Sequence, residues 1–145
     1  MTNSDYSVYY GIKELHRLHT ASSLAFDTET LQLQPEKGKL RLLQLGSYTL
    51  KTIVIIDCFE LSDNNWNYLN RFFQNGARYW LAHNAVFDLG WLQEHDIYVR
   101  GKVRCSMLAS RLLTNGIPKT KNGLADVAKR YLDMEVSKEQ QKSNW

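Results

Sequence analysis

Cysteine is scarce in this sequence: Cys58 and Cys105 stand alone, with neither metal-type spacing nor the numbers that a disulfide framework needs. A reducing, cytoplasmic setting follows as the expectation. Long apolar runs are missing too. The longest, Ile53-Val54-Ile55-Ile56, is far too short to span a bilayer, so no membrane partner is expected. Met1-Thr2-Asn3-Ser4-Asp5 has no basic stretch followed by an apolar one, and no signal peptide is visible. His16, His19, His83 and His95 include no H-x-x-x-H pair, which argues against zinc. There is no G-x-S-x-G, no Walker loop and no G-x-G-x-x-G. Serine hydrolases, P-loop enzymes and dinucleotide binders are thereby set aside.

What remains is a chain of 145 residues, 43% apolar and 12% aromatic, without repeats, low-complexity segments or linkers. That composition suits one globular domain over residues 1–145, large enough for a proper core. The net charge of +3 is unevenly spread. Residues 1–75 carry 7 basic and 8 acidic groups, a balance of −1, whereas residues 76–145 carry 11 and 7, a balance of +4. Arg100, Lys102 and Arg104 alternate and would share one face of an extended segment, and Lys119 and Lys121 lie in a Gly/Asn-rich loop. Such a surface suits a phosphate backbone, although an ordinary solvated face explains it equally well.

Apolar patterning divides the chain into alternating strands and helices. Ser23–Asp27, Leu40–Gly46 and Thr52–Asp57 read as three strands of an antiparallel meander. Ser62 or Asp63 caps a helix through Trp66, Leu69, Phe72 and Phe73, stopped by Asn75-Gly76. Arg78–Ala82 reads as a fourth strand, and Asn84 as the cap of a helix through Val86, Leu89 and Leu92. A short strand near Tyr98–Val103 and helices at about 105–113 and 122–132 follow. Trp66, Trp80 and Trp91 fall in apolar or amphipathic elements and are assigned to packing. The order predicts an α/β fold, a mixed sheet covered by helices.

Two acidic motifs carry the chemistry. Phe26-Asp27-Thr28-Glu29-Thr30 ends the first strand, and the period-two alternation puts Asp27 and Glu29 on one face. Acids at the end of a buried strand must be desolvated or bind something. Thr28 points the other way, with its backbone N–H available to a substrate oxygen. His83-Asn84-Ala85-Val86-Phe87-Asp88 opens a helix. Asp88 alone would be an ordinary first-turn acid on the helix dipole. Linked to Asp27 and Glu29 it completes a pocket of negative charge, which hard divalent cations would stabilise. The expectation is that the three carboxylates converge for two-metal phosphodiester hydrolysis. His83 is expected to orient the loop before the helix, and His95 to lie at the surface.

Together these residues resemble the DEDD superfamily of 3′–5′ exonucleases, close to ribonuclease D and the proofreading domain of DNA polymerase I. Phe26–Thr30 looks like the first exonuclease motif, and Leu42-Leu43-Gln44-Leu45-Gly46 is similar to the strand that follows it. His83–Leu92 looks like the second motif, and Met107–Leu113 and Gly123–Val127 match the two helices beyond. Lys142-Ser143-Asn144-Trp145 is similar to the K-S-D-W stretch of ribonuclease D relatives. The resemblance implies a ribonuclease-H-like mixed sheet of five strands flanked by helices. It implies two Mg²⁺ or Mn²⁺ ions, with Asp27 bridging both, Glu29 on one and Asp88 acting largely through water on the other. Thr28, Leu31, His83, Asn84 and Phe87 would line the place of the terminal nucleotides, with Leu31 and Phe87 nearest.

Two departures stand out. Cys105 occupies a position where relatives carry an aspartate that is not a metal ligand. The third motif, Y-x-x-x-D, would lie beyond Trp145, so the fold is expected to be C-terminally incomplete and to lack the final motif-bearing helix. The reading is a metal-dependent exonuclease domain acting on single-stranded 3′ ends of DNA or RNA. It is either crippled or completed by a second chain, such as a polymerase partner. The alternative is a catalytically inactive nucleic-acid-binding or regulatory module of the same fold.

Overall fold

The computed structural model describes residues 5–35 and 38–136. Its strands are β1 (Ser7–Tyr10), β2 (Ser23–Thr30), β3 (Leu40–Ser47), β4 (Thr52–Asp57), β5 (Tyr79–Ala82) and β6 (Lys102–Cys105). The helices are α1 (Asp63–Phe73), α2 (Ala85–Glu94), α3 (Ser106–Leu113) and α4 (Leu124–Leu132), with 3-10 segments at Ile12–Leu18 and Cys58–Glu60. The strands form one mixed sheet in the order β1-β4-β3-β2-β5-β6. β2, β3 and β4 are the antiparallel meander, while β1, β5 and β6 pair in parallel with β4, β2 and β5.

The sheet has six strands rather than five. The addition, Ser7–Tyr10, is a four-residue edge strand with weak patterning, seated on β4 and ended by Gly11 at φ 96. The last strand begins at Lys102 instead of Tyr98. Arg100 donates its backbone N–H to the Phe73 carbonyl, and Gly101 sits at φ +101, where a Cβ would collide with the Arg78 carbonyl oxygen. Only glycine can make that close turn, and it delays the pairing.

One sheet face is buried. Leu24, Phe26, Leu43, Leu45, Val54, Ile56 and Trp80 point to it, and α1, α2 and the Ile12–Leu18 segment supply Phe73, Leu69, Trp91, Leu92, Leu15 and Leu18. Phe73 stacks on Trp80 with centroids 4.5 Å apart, and Phe26 meets both edge-on. α1 starts with a capping box between Ser62 and Asn65, which satisfies two terminal donors reciprocally. Arg78, 4% exposed, donates to the carbonyls of Leu18, His19, Ala21 and Phe72 and ties three elements together. The other face carries Ala25, Asp27, Tyr79, Leu81, Lys102 and Arg104, all exposed. No helix among the described residues is long and apolar enough to cross a membrane.

Candidate active site

Asp27 and Glu29 project from the C-terminal half of β2 onto the open face, opposite Gln44 and Leu42 of β3. Just beyond Glu29 the register shifts: Glu29 pairs with Leu42 but Thr30 with Leu40, leaving Arg41 as the extra residue of a bulge. Bulges re-aim a strand end, and this one sits beside the acids. The Asp27 side chain is open to solvent at its rim, but protein surrounds its base. Burial pushes the carboxyl above the ordinary range, opposed by the Thr28 N–H and by His83. Burial and then the Asp27 charge raise Glu29 in the same direction.

Asp88 approaches from the other side. It lies in the first turn of α2, which packs on the buried face, and it is 2% exposed. Its Oδ1 accepts from the Thr28 backbone N–H at 3.0 Å and from the Thr28 hydroxyl at 2.7 Å. Burial pushes its carboxyl up to about 6; the Thr28 bonds oppose this, and the Asp27 charge adds to it. The expectation for Thr28 is therefore corrected. Its N–H, expected to be available to a substrate oxygen, donates to Asp88 from the strand edge left free beyond the last β5 pair, and alternation along β2 turns its hydroxyl toward the helix layer.

For the expected convergence, the structure shows proximity without a formed cluster. Asp27 is close enough to act electrostatically on both Glu29 and Asp88. Even so, no three His, Cys, Asp or Glu residues among those described are grouped to hold one metal ion. Two hydrogen bonds anchor Asp88 behind the strand. The donors are nonetheless of the right kind. All three offer hard carboxylate oxygens held above their ordinary ionisation range, and the Asp27 charge adds to the rise at Glu29 and at Asp88, which a divalent cation would relieve.

Asn84 occupies the N-cap position of α2 in the left-handed region, φ 63 and ψ 44, and makes no side-chain cap bond. Its carbonyl accepts from Phe87 instead, and its exposed side chain faces outward. His83 shares a 2.9 Å hydrogen bond between Nδ1 and Ser106 Oγ, while its buried Nε2 has no partner. Ser106 is absent from the sequence reading; 23 residues separate it from His83, and no local pattern links them. Leu31 is 46% exposed at the mouth of the site, and Phe87 is half-buried against Trp91. His95 is half-buried, its ring 4.8 Å from Trp66, rather than fully at the surface.

A cleft of about 520 Å³ opens on the exposed face, lined by Ala25, Asp27, Leu81, His83, Arg104 and Ser106 among others. It runs into an apolar groove between α3 and α4, with which it shares Ser106, Ala109 and Leu124. Lys102 and Arg104 form a basic edge over the Tyr79 ring, at 5.5 and 5.1 Å.

The sequence profile for 3′-5′ exonucleases matches residues 12–145. The chain belongs to that family. No curated protein sequence matches it. Among solved structures it is similar to Brucella melitensis NrnC bound to pGG, at 24% identity and a TM-score of 0.76, covering 97% of this chain and 67% of that one. Brucella melitensis NrnC with bound Mg²⁺ is similar at 22% identity and a TM-score of 0.72, with 98% and 69% covered. Escherichia coli RNase D, an exoribonuclease involved in structured RNA processing, shares 16% identity with a TM-score of 0.78, covering 98% of this chain but 37% of that one. The fold is thus the ribonuclease-H-like α/β fold of the family, and the chain is a 3′–5′ exonuclease domain. Divalent metal ions are the family's cofactors, and Lys142–Trp145 lie outside the described residues.

Proposed function

We propose that residues 1–145 act as one domain that removes nucleotides from single-stranded 3′ ends with two divalent ions, Mg²⁺ or Mn²⁺. Asp27 and Glu29 would hold the ions from the open face and Asp88 would support the second from behind β2. Bound there, the ions would activate water and stabilise the departing 3′ oxygen. The chain's own residues supply the rest. Leu31 and Phe87 flank the terminal bases, and His83, steadied by Ser106, stands beside Asp27. The Asn84 side chain lies exposed beside them, and Thr28 holds Asp88 in place. The observation that carries this reading is the Asp27–Glu29 pair on an open sheet face, within a family match spanning residues 12–145.

The open face also supports incompleteness. Purely parallel sheets have both faces covered, and the β2-β5-β6 part of this mixed sheet is parallel. Among the described residues the face bearing Asp27 is exposed, and it continues into the α3–α4 groove, where Leu113 is 72% exposed. A further helix, in cis or from a partner chain, would cover it and bring a fourth acid to Asp27 and Glu29. The absence of a three-ligand cluster among the described residues favours one rival, a nucleic-acid-binding module without turnover. Mn²⁺-dependent digestion of matched DNA and RNA oligonucleotides separates the two. Nucleotide release lost in Asp27→Ala is the expected result. Binding without release, in any metal and with the acid-bearing segment supplied, would establish the rival.

A further inference from the structure

A second cavity, about 510 Å³, lies between the start of β3, the turn after β4, α1 and the end of α2. It shares no lining residue with the cleft that holds Asp27. Glu29, Leu42 and Asp57 are direct partners across β2, β3 and β4. Two strand spacings, roughly 10 Å, therefore separate Glu29 from Asp57, the residue before Cys58 and Phe59 of the cavity wall. Lys39 lies closer, since its carbonyl accepts the Leu31 N–H at 3.1 Å. Leu31 is the residue proposed to meet the terminal nucleotides, so this cavity borders the same edge.

Its lining has a definite chemistry. Phe59 is 51% exposed, and two cations gather on its ring. The Arg41 guanidinium lies 4.7 Å from its centroid and the Lys39 ammonium 5.9 Å. Arg41 is the bulge residue, and its ion pair with Asp57 fixes it there. Asp57 also accepts the Phe59 N–H at 3.0 Å, so ring and guanidinium are set by one carboxylate. Deeper in, Trp66 presents a second aromatic surface, braced edge-on by His95 at 4.8 Å, beside the Asn67 amide. Asp63 and Asp96 also line the cavity. Those acids make the interior hostile to phosphate; Lys39 is the cation of the lining, and Arg41 joins it only through the Phe59 ring.

We infer that this cavity is a station for a nucleotide upstream of the 3′ terminus, with its base on Phe59 and its phosphate against Lys39 and Arg41. The inference rests on the nuclease reading and extends it. Aromatic rings bind single-stranded bases without regard to sequence, and cations alongside track the backbone. A strand threading from this station past Leu31 reaches Asp27 and Glu29 with its 3′ end.

The test is fluorescence anisotropy of 5′-labelled single-stranded oligonucleotides, a dinucleotide and a longer strand, with Ca²⁺ replacing Mn²⁺ to suppress hydrolysis. Phe59→Leu keeps an apolar body on an exposed turn, and an unchanged thermal midpoint verifies the fold. It should weaken the longer strand roughly tenfold and leave the dinucleotide unchanged. Lys39→Ala should lower the log–log salt slope for the longer strand by about 1. A 5-iodouracil placed upstream of the 3′ end should crosslink to Phe59 or Trp66. Wild-type affinity in Phe59→Leu together with an unchanged salt slope in Lys39→Ala would overturn the station while the nuclease reading stands. Failure of the wild-type protein to bind any strand would overturn both.

Discussion

The two faces of this sheet obey opposite rules. On the covered face the side chains of β2, β3, β4 and β5 are almost fully buried and make one aromatic and aliphatic core. On the open face β2, β5 and β6 present Ala25, Asp27, Tyr79, Leu81, Lys102 and Arg104 to solvent. Alternation sends neighbours in sequence to different faces: Phe26 and Thr28 to the core side, Asp27 and Glu29 to the open one. Asp88 crosses the division, since it belongs to the covered layer by position and senses the Asp27 charge by proximity. Stability and catalysis should therefore separate cleanly by face, and a substitution that moved both together would break the comparison.

The largest effect is expected on the open face. In protein supplied with the acid-bearing segment, Asp27→Asn should lower Mn²⁺-dependent nucleotide release by about two to three orders of magnitude, as removal of a group that stabilises developing charge does. Stability should move the other way or not at all. Burial disfavours the charged form of Asp27 in the fold, so a neutral isostere removes a destabilising charge. A fall of both activity and thermal midpoint would mean that Asp27 is structural.

On the covered face the expectation reverses. Trp80→Ala removes a fully buried ring that stacks on Phe73 and meets Phe26 edge-on. A loss of about 3–5 kcal/mol in denaturant unfolding follows from the lost transfer energy and the cavity left behind. No residue proposed to bind metal contacts that ring, so activity per folded molecule should stay within a few-fold of wild type. A loss of activity in the folded fraction would instead show that the core positions β2 more finely than burial implies.

Much of this division is legible in the sequence, because a strand with one wet face advertises it through period two. β2, β3, β4, α1, α3 and α4 fall where apolar spacing and caps place them, and the family follows from two motifs about sixty residues apart. The boundaries that differ have local causes. β6 starts late because Gly101 turns the chain under Arg78, and β1 is too short to rise above its surroundings. The site is only partly legible for a deeper reason. Residue types and motif spacing set the expectation that Asp27, Glu29 and Asp88 act together. The face from which each arrives depends on where α2 packs, and only tertiary structure decides that. Ser106 behind His83 and the Thr28 clamp on Asp88 are invisible for the same reason.

Asp88→Asn probes the residue that straddles the two faces. The carboxyl's pKa in the fold, about 6, lies above the ordinary 3.8, so the fold binds that proton more tightly than the unfolded chain does. The stabilising contribution is full below about 4 and is lost as pH rises through about 6. The amide oxygen introduced by the substitution can still accept both Thr28 hydrogen bonds without carrying charge. With metals chelated, the variant should match wild type near pH 4 and exceed it at pH 8, by roughly 3 kcal/mol at most. Identical pH profiles would show that Asp88 is solvated in the free protein and that the Thr28 clamp is loose.

The smallest effect concerns the basic edge of the open face. Lys102 and Arg104 flank Tyr79, Arg104 also lines the cleft containing Asp27, and Arg100 lies exposed just before the strand. Each cation that neutralises a phosphate releases counterions, so each should contribute about 1 to the slope of log affinity against log salt. Exposed charges of this kind add nothing measurable to folding. The triple alanine variant should therefore keep its thermal midpoint and bind a single-stranded oligonucleotide with a slope reduced by up to about 3. Because the cleft holds Arg104 but not Lys102 or Arg100, single variants sharpen the point. Arg104→Ala should also weaken binding of a dinucleotide confined to the cleft, whereas Arg100→Ala should affect only longer strands. An unchanged slope in the triple variant would return all three residues to ordinary surface and leave the strand's path to be sought at Phe59 and Lys39.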